Sequence, residues 1–263
     1  MSKTRIAARF ALFLLFAPAA NAAPSYPWLD SPPSGDDLEK RFPAPPGSTR
    51  ATVNPGSFGE WLRHLPLLPP GTPVLLFDKS PKSRQDVHAA VVDLDVGTRD
   101  LQQCADAVMR LRAEYLYSRN KTVGFHPDPG KPRQLLFAGR DRAKFKKYLT
   151  RVFADAGSAS LQAELSKLSP NNAPLRPGDV LIQGGYPGHA VIVLDVAEGA
   201  GGKQWILLGQ SYMPAQQFHV LKNPRNEALS PWYDTADLAG GLQTPEWRPF
   251  SRGDVRRFPA GGE

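Results

Sequence analysis

Gly178-Asp179-Val180-Leu181-Ile182-Gln183-Gly184-Gly185-Tyr186-Pro187-Gly188-His189-Ala190-Val191-Ile192-Val193-Leu194-Asp195-Val196 is the stretch that decides the fold. Two aliphatic runs, Asp179 to Gln183 and His189 to Val196, flank a turn made of glycine, tyrosine and proline, which predicts two strands joined by a tight connection. Trp205 to Ser211 and Phe218 to Lys222 repeat the pattern behind polar or glycine-rich turns, so the last third reads as an antiparallel meander.

Upstream of this meander the periodicity is helical. Ser57 caps a short amphipathic helix to about His64, in which Phe58, Trp61, Leu62 and Leu65 recur at helical spacing before Pro66. Val74 to Phe77 and Ala89 to Val96 read as two strands. Asp100 followed by Gln103 is a capping-box pattern that opens the strongest helix, running to about Tyr117 with Cys104 in its first turn. Residues 118–140 read as a loop, Arg142 to Ala156 as a basic helix and Ser158 to Leu168 as a third. Helices segregated before strands, with no internal repeat, predict one α+β domain over residues 56–263 rather than alternating βαβ units. Residues 23–55, rich in proline, read as an extended arm lying on it.

The first 22 residues have a different character. Lys3, Arg5 and Arg9 precede a wholly apolar run from Phe10 to Phe16, and Ala20-Asn21-Ala22 supplies small side chains at a cleavage site. This predicts a secretory signal peptide cut after Ala22 and a periplasmic or secreted mature chain. The apolar run is far short of the roughly 20 residues that span a bilayer. Removing the segment takes three basic residues and no acid, so the formal charge of +7 falls to +4. The remaining Lys and Arg are scattered singly, which argues against nucleic acid as a partner. Such a surface suits an anionic neighbour such as cell wall or outer-leaflet glycolipid, and export makes cell-wall peptide or an envelope glycan the expected partner.

The mature chain has one cysteine, which cannot form an internal disulfide. In an oxidising compartment that thiol is either buried and inert or reactive and kept for that reason. A cysteine hydrolase needs a thiolate, an imidazole to carry its proton and a polar group to orient the imidazole. Cys104, near a helix N-terminus, His189, at the start of a strand, and Gln210, on the following strand, form one such candidate set. Gln102 and Gln103 are candidate donors to an oxyanion, Gly188 leaves room for a ligand backbone, and Tyr212 stands among C-terminal aromatics that line a groove or pack the core. Asp195 is an alternative partner for the imidazole. Arg110, four residues before Glu114, pairs with it or reads a carboxylate. His64, His88, His126 and His219 lack metal-ligand spacing and read as surface or packing residues, and Asp93 with Asp95 has no third carboxylate. Nothing in the residues calls for a metal or cofactor.

The order helix-borne Cys, strand-borne His, then a polar residue on the next strand resembles the papain-like hydrolases, in particular the bacterial cell-wall peptidases of the NlpC and CHAP families. In them a Gly-Asp-apolar turn precedes the histidine strand, as Gly178-Asp179-Val180 does here. They set the cysteine in an Asp-Cys-Ser or Asp-Cys-Gly context, where this chain has Gln103-Cys104-Ala105. The resemblance implies a papain-like fold and hydrolysis of an amide, with Cys104 as nucleophile, His189 as base and Gln210 as orienting residue. A non-catalytic module of the same shape, holding a glycan or peptide, is the alternative.

Over residues 40 to 260 the chain also resembles the domain-of-unknown-function family 4846. The resemblance rests on Trp61-Leu62-Arg63-His64-Leu65-Pro66-Leu67, the stretch Asp100 to Tyr117, Gly188-His189-Ala190-Val191, Gln210-Ser211-Tyr212-Met213-Pro214-Ala215-Gln216 and Thr244-Pro245-Glu246-Trp247. It implies secretion and leaves the activity open.

Overall fold

A computed structural model describes residues 24–31, 33, 35–128, 133–168 and 173–259. The expected signal peptide lies outside the described residues. In chain order the elements are α1 (Leu38–Arg41), β1 (Ser48–Arg50), α2 (Phe58–Arg63), β2 (His88–Val91), α3 (Cys104–Ser118), β3 (Val123–Phe125), β4 (Leu135–Phe137), α4 (Arg142–Asp155), α5 (Ser158–Glu164) and β5 (Ser166–Lys167). They continue with β6 (Val180–Gln183), β7 (His189–Gly199), β8 (Gln204–Gln210), β9 (His219–Leu221), β10 (Trp232–Asp234) and β11 (Val255–Arg257). The architecture is α+β, as the segregation of patterns predicts.

Nine of these strands form one antiparallel sheet in the order β2-β9-β8-β7-β6-β11-β5, with β1 added to β7 and β10 to β8. The length of β7 makes this possible. Its first half pairs with β6 and its far end, Ala197 to Gly199, with β1. Alternation along β7 splits the core in two. Ala190 and Ile192 face a cluster with α3, while Val191 and Val193 face a second one with Leu238, Leu242 and Phe250 from the C-terminal segment.

Helix α3 is the centre of the first cluster. Every residue from Cys104 to Leu116 is buried, so its charged residues need partners inside. Glu114 takes two hydrogen bonds from the Arg142 guanidinium, at 2.6 and 2.8 Å, and lies 3.5 Å from Arg110. Arg112 stacks over Phe58, Tyr115 and Phe258.

Several expected elements differ, each for a physical reason. Val74 to Phe77 is not a strand: the Val74 and Leu75 amides donate to the side-chain oxygens of Gln85 and Gln217, so no ladder forms. The strand expected over Ala89 to Val96 stops at Val91, and Asp95 instead pairs with Arg110 at 2.7 Å. Helix α3 starts at Cys104 rather than Asp100, because the Gln103 N–H donates to the Asp106 carboxylate, while Asp100 accepts from the Ala215 amide at 2.7 Å. The loop expected over 118–140 contains the β3–β4 hairpin, and α5 ends at Glu164, short of Leu168. The proline-rich arm packs Tyr26 and Trp28 against Trp61 and contributes α1 and the edge strand β1.

Candidate functional site

His189 opens β7 immediately after the glycine-rich turn, and Gln210 is the last residue of β8. The pairing of Ile192 with Gly209 sets Gln210 level with Val191, hence diagonal to His189 on the same face. His189 Nε2 and Gln210 Oε1 lie 2.9 Å apart. On the other side His219 of β9 is the direct cross-strand partner of Gln210. One row therefore runs His189, Gln210, His219 across three strands, each residue fully buried.

The Gln210 amide nitrogen donates to Glu246 Oε2 at 2.9 Å and lies 3.5 Å from His219 Nε2. Glu246 Oε1 accepts from Lys82 Nζ at 2.5 Å, in an ion pair whose side chains are only 8% and 6% exposed. The Tyr212 hydroxyl donates to the Glu246 carbonyl at 2.9 Å. Tyr212 and Trp247 bracket the His189 ring, with centroids 5.1 and 5.0 Å from it.

Cys104 is the first residue of α3 and is 6% exposed. Its Sγ donates to the Gly188 carbonyl at 3.8 Å, and the nearby Ala190 backbone amide opposes the rise in its pKa. The thiol thus rests on the backbone that flanks His189, at the edge where β8 has left the sheet. The helix approaches from the Ala190 face, and the imidazole leaves on the other. Burial pushes the thiol up to about 11, helped by the Asp106 carboxyl, and outweighs the helix N-terminus that favours a thiolate. Burial holds His189 down at about 4 against the opposing hydrogen bond to Gln210 Oε1. Thiol and imidazole are both neutral near pH 7. His189 Nδ1 is buried and has no hydrogen-bond partner among the described residues.

The flanking glutamines are engaged differently. Gln102 Oε1 accepts from Arg110 at 2.6 Å, its carbonyl accepts from Ser211 Oγ, and its Nε2 is buried without a partner among the described residues. Gln103 donates through Nε2 to Asp100 at 2.9 Å. Gly188 is required sterically, since a Cβ there would lie 2.0 Å from Ser158 Oγ. A groove of about 290 Å³ lies beside Gln102, lined by Asp95, Arg99, Arg110 and Lys146 among others.

One sequence expectation needs correction. Asp195 does not reach the imidazole; it is fully buried and bound by Arg50 and Arg63 at 2.7 and 2.8 Å. His219 is, as expected, a packing residue, fully buried, and it abuts Gln210. Glu246 and Lys82 have no local signal, because 36 and 128 residues separate them from Gln210 along the chain. The other histidines are local: His64 meets Asp37, His88 the Thr72 carbonyl and His126 Glu164. Arg110 does pair with Glu114, as well as with Asp95. Trp232 and Tyr233 are core, whereas Trp205, Tyr212 and Trp247 are partly exposed. Among the described residues no group of His, Cys, Asp or Glu is arranged to hold a metal, and no helix is long and apolar enough to cross a membrane.

No curated protein and no solved structure matches the chain. The family model described as "Domain of unknown function (4846)" matches residues 38–134 and 133–257, and the chain belongs to that family.

Proposed function

We propose that the chain is an exported cysteine hydrolase with a papain-like arrangement of nucleophile and base, acting on an amide bond of cell-wall peptide. The observation that carries this is the orientation of His189: Nε2 is bound by Gln210, Nδ1 is unpartnered, and Cys104 Sγ rests on the backbone to either side. In this reading the thiol and the imidazole, which leave β7 on opposite faces and make no hydrogen bond to each other here, are brought together on substrate binding; Nδ1 then takes the thiol proton as sulfur attacks the carbonyl and returns it to the leaving amine, while Gln210 holds the ring. Starting from a neutral thiol and a neutral imidazole, proton transfer accompanies attack. The Gln102 amide, unpartnered among the described residues, and the first N–H groups of α3 are the donors this reading assigns to a developing oxyanion. The choice of cell-wall peptide follows from the expected signal peptide and the resemblance to NlpC and CHAP enzymes.

The test is labelling with a peptidyl vinyl sulfone and turnover of cell-wall peptides. Both are expected in the wild-type chain and lost in Cys104→Ala and His189→Ala; wild-type turnover in either variant sinks the assignment. The second reading is a non-catalytic module for an envelope glycan or peptide, favoured by the burial of the thiol. It predicts no His189-dependent labelling and no turnover of cell-wall peptides, with ligand taken in the groove at Arg99 and Lys146.

A further inference from the structure

We propose that Glu246 and His219 are positioning residues that fix the proton of His189 on Nε2, through Gln210, and so leave Nδ1 as the basic nitrogen. The inference deepens the hydrolase reading, in which Nδ1 is the base, but the arrangement it describes stands on hydrogen-bond chemistry alone.

A carboxylate only accepts hydrogen bonds, so the end of the Gln210 amide that faces Glu246 Oε2 at 2.9 Å is the NH2 group. The second N–H of that group points to His219 Nε2, 3.5 Å away. His219 Nδ1 lies 2.9 Å from the Gln217 carbonyl, which also only accepts, so the His219 proton is on Nδ1 and its Nε2 offers a lone pair. Both amide hydrogens of Gln210 are thereby directed away from His189. Oε1 is left facing His189 Nε2 at 2.9 Å, and that contact is a hydrogen bond only if Nε2 carries the proton.

The reversed amide is disfavoured at every contact. It would set Oε1 against the Glu246 carboxylate and the His219 lone pair among side chains that are fully or almost fully buried. Glu246 is itself held from two sides, by Lys82 on the carboxylate and by Tyr212 on the backbone carbonyl. Sequence separation hides this arrangement, yet it gives the Thr244-Pro245-Glu246-Trp247 stretch a physical role: it sets the hydrogen-bond polarity of the row.

The test reads the tautomer directly, by nitrogen NMR of the full chain labelled with ¹⁵N-histidine. In the wild-type chain His189 should show a protonated Nε2 and an unprotonated Nδ1 at pH 7. Glu246→Gln replaces an obligate acceptor with a group that accepts or donates, so the Nδ1–H form should rise at least about tenfold, the ratio given by 1.4 kcal/mol. Because that variant leaves the Lys82 ammonium buried without its partner, the measurement is repeated in Lys82→Met/Glu246→Gln, which removes both charges. A wild-type His189 protonated on Nδ1 overturns the proposal, as does an unchanged tautomer ratio in the folded double variant. No substrate is involved, so if the wild-type chain shows no turnover while Glu246→Gln still shifts the His189 tautomer, the hydrolase reading fails and this one stands.

Discussion

Acidification should weaken the fold through two named histidines. Burial holds His189 at about 4 and His219 at about 3, whereas in the unfolded chain each titrates near its ordinary value of 6.5. Between those limits the unfolded state binds one more proton per histidine than the folded state, so stability falls as the pH falls. The contribution is complete above pH 6.5 and is lost from there down to about 4 for His189 and about 3 for His219. The slope approaches about 1.4 kcal/mol per pH unit and per group below 6.5, so lowering the pH from about 7 to 4.5 removes about 2.5 kcal/mol for each. Together they remove about 5 kcal/mol, a large share of the 5 to 15 kcal/mol that holds an ordinary domain.

The total curve mixes this with carboxyl groups. Burial raises Asp106 and Asp179, which add stability on acidification, while Asp37 and Asp95 are lowered and subtract it as the pH falls further. The clean quantity is therefore a difference. Urea unfolding of wild type and His219→Asn at about pH 7, 5.5 and 4.5 should show the variant gaining on wild type by about 1.4 kcal/mol per unit below 6.5. Asn keeps a donor for the Gln217 carbonyl at the place of Nδ1, and its fixed cost in packing and in the Gln210 contact cancels when only the pH dependence is compared. A difference constant within about 0.5 kcal/mol over the whole range would refute a neutral, buried His219.

Cys104 should alkylate slowly with iodoacetamide in the folded chain: raising the thiol from 9.0 to about 11 cuts the thiolate at neutral pH roughly 100-fold, and the rate should climb tenfold per pH unit without a plateau below about pH 10. A plateau near pH 8 contradicts the burial of that thiol. Asp195→Asn leaves Arg63 and Arg50 without their buried counter-charge and should cost about 3–5 kcal/mol by urea unfolding; a loss under about 1 kcal/mol would show that the cluster relaxes. Gly188→Ala drives a methyl to 2.0 Å from Ser158 Oγ and 2.7 Å from the Gly185 backbone, so it should cost about 1–3 kcal/mol or more and move the His189 resonances. Unchanged melting and unchanged resonances would mean that the turn has slack.

What the sequence shows and what it hides divide along one physical line. The strands around His189 and Gln210 are legible because a half-buried or buried strand writes its own alternation or aliphatic run, and the turn between them announces itself in glycine and proline. The Cys104 helix is legible for the same local reason, though not its first residue: Asp100/Gln103 and Gln103/Asp106 are overlapping capping patterns. The choice between them is made by Ala215, whose amide takes the Asp100 carboxylate from more than a hundred residues away. The partners of His189 follow the same rule. Gln210 is readable as the polar residue on the neighbouring strand, but His219 becomes its partner only through the β8–β9 register, and Glu246 only because the C-terminal segment folds back over the second core. Asp195 fails as the imidazole partner because two arginines, one from the arm and one from α2, claim it first. Pattern thus locates the chemistry-bearing residues, and tertiary hydrogen bonds decide which of their atoms are left free. At this site that free atom is His189 Nδ1, and the proton that leaves it free is held in place by a carboxylate 57 residues further along the chain.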